Sequence, residues 1–99
     1  MNMQNLMAQA QKMQRDMQKK KEEIDKELFT GKSELVEVVF NGKKEMVSIT
    51  IDKSNSLDAE DIEALEDMIK IAVKDVIAKI DKETKEKMGA YSQMLDGLM

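Results

Sequence analysis

Residues 35–51, LVEVVFNGKKEMVSITI, read as a β-hairpin set between two long, charged, methionine-rich helical segments, and this stretch decides the fold. Val36, Val38 and Phe40 share one face of a strand because side chains alternate with period two, and Val47, Ile49 and Ile51 do the same on the following run. Asn41 and Gly42 both tolerate positive φ and supply the turn. A loop of only Asn41 and Gly42 sets Phe40 against Lys43. A longer loop over residues 42–45 sets Phe40 against Val47, Val38 against Ile49 and Val36 against Ile51, apolar on apolar, and is the expected register. The opposite face carries Leu35, Glu37 and Val39 with Met46, Ser48 and Thr50, and is only partly apolar. A two-stranded ribbon is marginal alone and needs cover.

Working outward, residues 3–28 predict the first helix. Met3, Met7, Ala10, Met17, Ile24 and Leu28 follow alternating steps of four and three, a heptad seam interrupted by Gln14 and Lys21 and widened by Leu6 and Met13. Lys12, Arg15, Lys19 and Lys26 fall on the side opposite that seam and spread over roughly 21 Å of helix axis. Lys20 points to the flank, and Lys21 lies near the seam. Residues 29–33 lead into the hairpin, with Gly31 placed to break the helix and the remainder able to add a short extra strand.

After the hairpin, residues 52–56 form a polar turn, with Ser56 or Asp58 as the N-cap of a second helix over about 57–88. This helix carries Ile62, Leu65, Ile69, Ala72, Val73, Val76, Ile77 and Ile80 on one broad face, and its first turns hold Asp58, Glu60, Asp61, Glu63, Glu66 and Asp67 with no base among them, which suits the positive end of the helix dipole. Gly89 can interrupt it, leaving residues 89–99 as a tail with a further short helical piece. The fold class is α+β: long helix, small antiparallel sheet, long helix, in one domain over residues 1–99, without proline, low-complexity linker or internal repeat.

A chain of 99 residues with three aromatics (Phe29, Phe40, Tyr91) leaves packing to Met, Leu, Ile and Val. It contains neither Cys nor His, which removes thiolate chemistry, the usual zinc ligands and the commonest general base. Neither an enzyme nor a metal, cofactor or small-molecule substrate is expected. Residues 52–60 weakly resemble a calcium loop but lack its glycine and most of its carboxylates, and read as a turn and helix cap. No apolar run is long enough for a signal peptide or membrane span, so the expected location is the cytoplasm.

The net charge of −4 hides an uneven distribution. Residues 1–21 hold Lys12, Arg15, Lys19, Lys20 and Lys21 against Asp16 alone; residues 22–78 hold seven lysines against fifteen acids; residues 79–87 are close to neutral. Helices of about 26 and 32 residues are roughly 39 and 48 Å long, whereas strands of seven residues span about 23 Å. The helices must overhang the sheet, and their uncovered apolar stripes call for a second copy. Val36, Val38, Phe40, Val47, Ile49, Ile51, Ile69 and Val76 are the expected core and dimer residues. With the hairpin joining the end of one helix to the start of the next, the acidic segments belong at the sheet and the more basic segments, 12–21 and 79–87, on the overhangs.

The run NLMAQAQKMQRDMQ, the hairpin core LVEVVFNGKKEMVSITID and the ending KEKMGAYSQMLDGLM, in this order and spacing, resemble the YbaB/EbfC family of bacterial nucleoid-associated proteins over nearly the whole chain. The resemblance implies an α+β homodimer shaped like tweezers, with a sheet body and protruding helices, that binds double-stranded DNA at the nucleoid and affects DNA conformation, nucleoid organisation or gene expression. The chain departs from the family where Lys32-Ser33-Glu34 replaces a glycine-rich step, where Asp52-Lys53 replaces Asp-Pro, and where a proline near the C-terminus is missing.

Taken alone, the stripe of Lys12, Arg15, Lys19 and Lys26 reads either as a track for DNA phosphates, which position a protein without reading sequence, or as a solvated helix face with an ordinary Glu22–Lys26 pair. Lys82 and Lys85, with Lys79 and Lys87, are the corresponding candidates on the second helix, where interleaved acids favour a solvated face. Lys43 and Lys44 read as turn charges. The leading expectation is DNA binding of low sequence specificity through Lys12, Arg15, Lys19, Lys20, Lys26, Lys82 and Lys85. The alternative is a prefoldin-like dimeric or oligomeric holdase or interaction module, since helix, hairpin, helix is also the order of such subunits and Met-rich arms can grip varied partners.

Overall fold

The computed structural model describes residues 2–53 and 56–98, with side chains as far as residue 89. The order is α1 (Met3–Lys26), β1 (Leu28–Ser33), β2 (Val36–Asn41), β3 (Met46–Ile51) and α2 (Ala59–Leu98). The strands form one antiparallel sheet in the order β1-β2-β3. The molecule is elongated, 71 × 21 × 15 Å, because α2 alone is 40 residues long and hence roughly 60 Å.

Local chemistry fixes the helix ends. Asn2 caps α1, its Oδ1 accepting from Gln4 N at 3.0 Å. Asp58 starts α2 with a reciprocal box: its Oδ1 accepts from Asp61 N at 2.9 Å, and Asp61 Oδ2 accepts from Asp58 N at 3.0 Å. Of the expected turn at 52–56, Ser54 and Asn55 lie outside the described residues. α1 ends at Lys26, with Glu27 in extended conformation, two residues before the expected boundary. Gly31 does not break this helix; it lies buried inside β1. Nor does Gly89 interrupt α2, which runs on through it to Leu98. A lone glycine costs about 1 kcal/mol in a helix, too little to stop one that is otherwise continuous.

The extra strand is complete and pairs with β2 from Leu28↔Asn41 to Ser33↔Val36. Glu34, in the tight turn between them, has φ 41°, at the place where the resemblance expects glycine. Left-handed backbone costs a residue with a Cβ about 1 kcal/mol, so Glu34→Gly is expected to raise the unfolding free energy by up to about 1 kcal/mol in urea titrations.

In the second hairpin Val36↔Ile51 and Val38↔Ile49 pair as expected, but Phe40 faces Met46, not Val47, across a β-bulge. The cause is Asn41. Its Oδ1 accepts from both Lys43 N (3.0 Å) and Glu45 N (3.1 Å), and its own backbone N–H donates to Glu45 O (3.0 Å). This tightens the loop to residues 42–44, and the bulge takes up the spare residue. The positive φ falls on Lys44 (65°), not on Asn41 or Gly42. Gly42 serves contact instead: a Cβ there runs into the Ile24 carbonyl of α1.

The core is wholly apolar: Phe29, Val36, Val38, Phe40, Ala72, Val76 and Ile80, flanked by Ile51, Leu65, Met68, Ile69, Val73 and Ile77. It sits between α2 and the β1–β2 part of the sheet, and α2 does not reach β3. Ile49 (43% exposed) and Val47 (55%) therefore lie open in the single chain, although Ile49 shares a face with the buried Val38.

Candidate nucleic-acid interface

α1 projects past the sheet, touching β2 and α2 only near its end, where Ile24 is buried and Met17 half-buried. Helical geometry then fixes its other side: at about 100° per residue, Lys12, Arg15, Lys19 and Lys26 lie within about 60° of one another, opposite Ile24. All four are exposed, and among the described residues none has a carboxylate within ion-pair distance. The Glu22–Lys26 pair expected of a solvated face is not formed. Lys20 is exposed but stands roughly 100° off this row. The seam carries Met3 (75% exposed), Leu6, Met7 (60%) and Met13, all uncovered in one chain.

The second helix departs from expectation. With the extra strand formed, the sheet delivers the chain to α2 at the end remote from α1, so α2 runs back across the sheet. Residues 79–87 thereby reach the junction with α1 and β1 rather than a free overhang. Lys79 Nζ donates to Thr30 O (2.8 Å) and pairs with Asp75 (3.1 Å), and Asp75 Oδ2 also accepts from Lys32 N (3.3 Å). These contacts, Lys79 first, hold the Asp75 carboxyl below its ordinary value. Lys87 reaches Glu27 (3.4 Å) and Glu83 (3.8 Å). Lys79 and Lys87 are thus each held in internal ion pairs, although about half of each side chain stays exposed. Lys82 and Lys85 are exposed on the side of α2 away from the sheet, without a carboxylate in reach among the described residues.

The junction itself is a carboxyl pair. Glu83 is pushed above the ordinary glutamate value, first by its hydrogen bond with Glu27 and then by burial; that shared bond, with Lys87, draws Glu27 below it. Glu83 Oε2 is closed off from solvent with no donor at hydrogen-bonding distance. A raised carboxyl binds its proton more tightly in the folded chain, so its contribution to stability grows as pH falls through the folded pKa. A lowered carboxyl contributes above its unfolded value and loses that contribution as pH falls further. Glu83→Gln keeps a donor toward Glu27 and removes the repulsion. Its thermal midpoint is expected to exceed the parent's at neutral pH, with the difference shrinking toward pH 4.5 as the parent's Glu83 protonates.

Two features escaped the sequence. Lys44 spans to Asp81 on α2 at 2.9 Å, so it is a tertiary contact and not a free turn charge. An open groove of about 400 Å³ between the end of α1 and the hairpin turn brings Lys43 beside Lys26, over Leu28 and Val47, with Glu22, Asp25 and Glu45 also on its walls. The loop length could have suggested the first; nothing in the sequence spacing signals the second. No helix among the described residues is long and apolar enough to cross a membrane.

The site is thus a projecting helix of a small α+β chain, cationic on one side and apolar on the other. Residues 1–95 match the YbaB/EbfC DNA-binding family, and the chain belongs to it. It is 41% identical over 99 residues to a nucleoid-associated protein of Ligilactobacillus salivarius, covering 99% of this chain and 95% of that protein. It is 44% identical over 96 residues to the nucleoid-associated protein LL0120 of Lactococcus lactis, covering 96% and 97%. The crystal structure of the uncharacterized protein HP0035 from Helicobacter pylori superposes with a TM-score of 0.72 at 26% identity, over 95% of this chain and 98% of that one.

Proposed function

We propose that the chain is a nucleoid-associated protein of the cytoplasm that works as a homodimer and holds duplex DNA by its phosphates through the α1 row, affecting DNA conformation without reading sequence. The observation that carries this reading is the state of Lys12, Arg15, Lys19 and Lys26: a single-sided, exposed row with Lys26 at its root beside the hairpin turn, and with no carboxylate within ion-pair distance among the described residues. Family membership and the nucleoid-associated relatives support the same partner.

The homodimer rests on the sheet edges. On the β1 side Lys79 binds Thr30 O and Asp75 binds Lys32 N, so side chains from α2 occupy two backbone groups of that edge. β3 forms the other edge, with Met46, Val47 and Ile49 exposed beside it. An open, apolar edge is a template for a further strand, and a second copy supplies one with the same pattern.

Gel retardation of a mixed-sequence duplex across several salt concentrations, beside light scattering of the free protein, tests both parts. Affinity falling steeply with salt and a mass of two chains are the expected results. Salt-insensitive suppression of client aggregation without DNA retardation would instead favour the holdase reading, to which the exposed Met3, Met7 and Met13 are suited.

A further inference from the structure

The ion pairs of α2 expose a second basic face. From residue 70 to residue 85 the outward acids are Asp75 and Asp81, and each is already neutralised, Asp75 by Lys79 at 3.1 Å and Asp81 by Lys44 at 2.9 Å. Left over are Lys70, Lys74, Lys82 and Lys85, all exposed and with no carboxylate within ion-pair distance among the described residues. They spread over roughly 22 Å of axis and an arc of about 120°. This arc is centred opposite the buried Ala72, Val76 and Ile80. Asp67 bounds the row at one end and Glu86 at the other. The sequence conceals it, because Lys44 comes from the hairpin and residues 22–78 count as strongly acidic.

The orientation of this row is what gives it a use. Glu83 and Lys87 meet Glu27 on the inward side of α2, so α1 lies on the same side of α2 as the sheet. α1 in turn presents Ile24 and Met17 inward and its cations outward. The two rows therefore back onto each other and face opposite sides of a molecule only 21 × 15 Å in cross-section. A rigid duplex lying along one row cannot at the same time lie along the other.

We propose that each copy carries two opposed duplex-binding faces, one on α1 and one on the outer side of α2 built by Lys70, Lys74, Lys82 and Lys85, and so bridges two separate DNA segments. This rests on the reading of α1 as a DNA contact. Each face spans enough phosphates to be retained by charge, and neither reads bases. Lys44 is a positioning residue here, since its ion pair with Asp81 offsets the one carboxylate that falls within the row's arc.

The experiment is a bridging assay. One duplex is fixed to beads, a second fluorescent duplex is offered in solution, and capture by the full chain is measured beside gel retardation of a single duplex. Lys70→Glu with Lys74→Glu leaves the α2 row with two cations and two acids, hence neutral. Capture is expected to fall at least about tenfold, while a single duplex is still retarded through α1. Lys44→Met is expected to reduce capture as well, and Asp81→Asn in that background to restore it. Capture by the Lys70→Glu, Lys74→Glu protein at the parent level overturns the proposal, since bridging would then come from the α1 rows of two copies. A parent chain that retards DNA but captures no second duplex overturns it too, leaving the α1 reading in place. A parent chain that retards no DNA removes both.

Discussion

Lys12→Glu combined with Arg15→Glu is expected to weaken binding to a mixed-sequence duplex by about a hundredfold at moderate salt. Each reversal removes an attraction and adds a repulsion, about tenfold apiece. The slope of log affinity against log salt should fall by about two, one for each phosphate contact given up. The substitutions sit on the solvent side of α1, away from Ile24 and Met17, so light scattering and circular dichroism should not change. Because the row makes no internal ion pair among the described residues, no partner is stranded by the change. The same two substitutions on a merely solvated face would leave the affinity as it was. A gel-shift series at several salt concentrations separates the two outcomes.

Gly31→Ala is expected to destabilise the fold by about 3 kcal/mol, lowering the thermal midpoint by ten degrees or more for a chain of this size, roughly. A Cβ at this position meets the Ala72 carbonyl and comes within 2.8 Å of Val76 Cβ and 2.9 Å of Val76 N, closer than packed atoms tolerate. The obstacle is helix backbone, which cannot turn aside as a long side chain can, so α2 must lift off β1 and open the core around Phe29 and Val38. Gly89, within the helix that Gly31 packs against, is the opposite case. Nothing lies within 4 Å of a Cβ built there. Gly89→Ala should therefore stabilise the helix by about 1 kcal/mol. Two thermal melts of opposite sign distinguish a glycine needed for contact from one that is only a weak point in a helix.

The elements and much of the core were legible in the sequence because their signals are periodic. Val36, Val38 and Phe40 alternate, Ala72, Val76 and Ile80 recur at helical spacing, and the row on α1 follows from spacing alone. What escaped depends on contacts without a period. Gly31 reads as a helix breaker until α2 is seen lying against it. The bulge at Phe40 comes from one side chain, Asn41, accepting two backbone bonds at once. The fate of Lys79 and Lys87 was hidden because their partners Thr30 and Glu27 lie 49 and 60 residues away. Once β1 is a full strand, the parity of the sheet reverses the direction from which α2 arrives, which brings Lys79 and Lys87 to the junction while Lys82 and Lys85 stay exposed.

The closed edge of β1 has a consequence for how far association can run. A sheet with two open edges can add copies without limit and grows into a ribbon; a sheet with one has a valence of one. In the dimer proposed above, Lys79 and Asp75 occupy Thr30 O and Lys32 N on β1, so a twofold meeting of two β3 edges would leave only these partly covered edges for a third copy. On that reading, two hydrogen bonds and one ion pair made by α2 side chains would act as a stop on polymerisation.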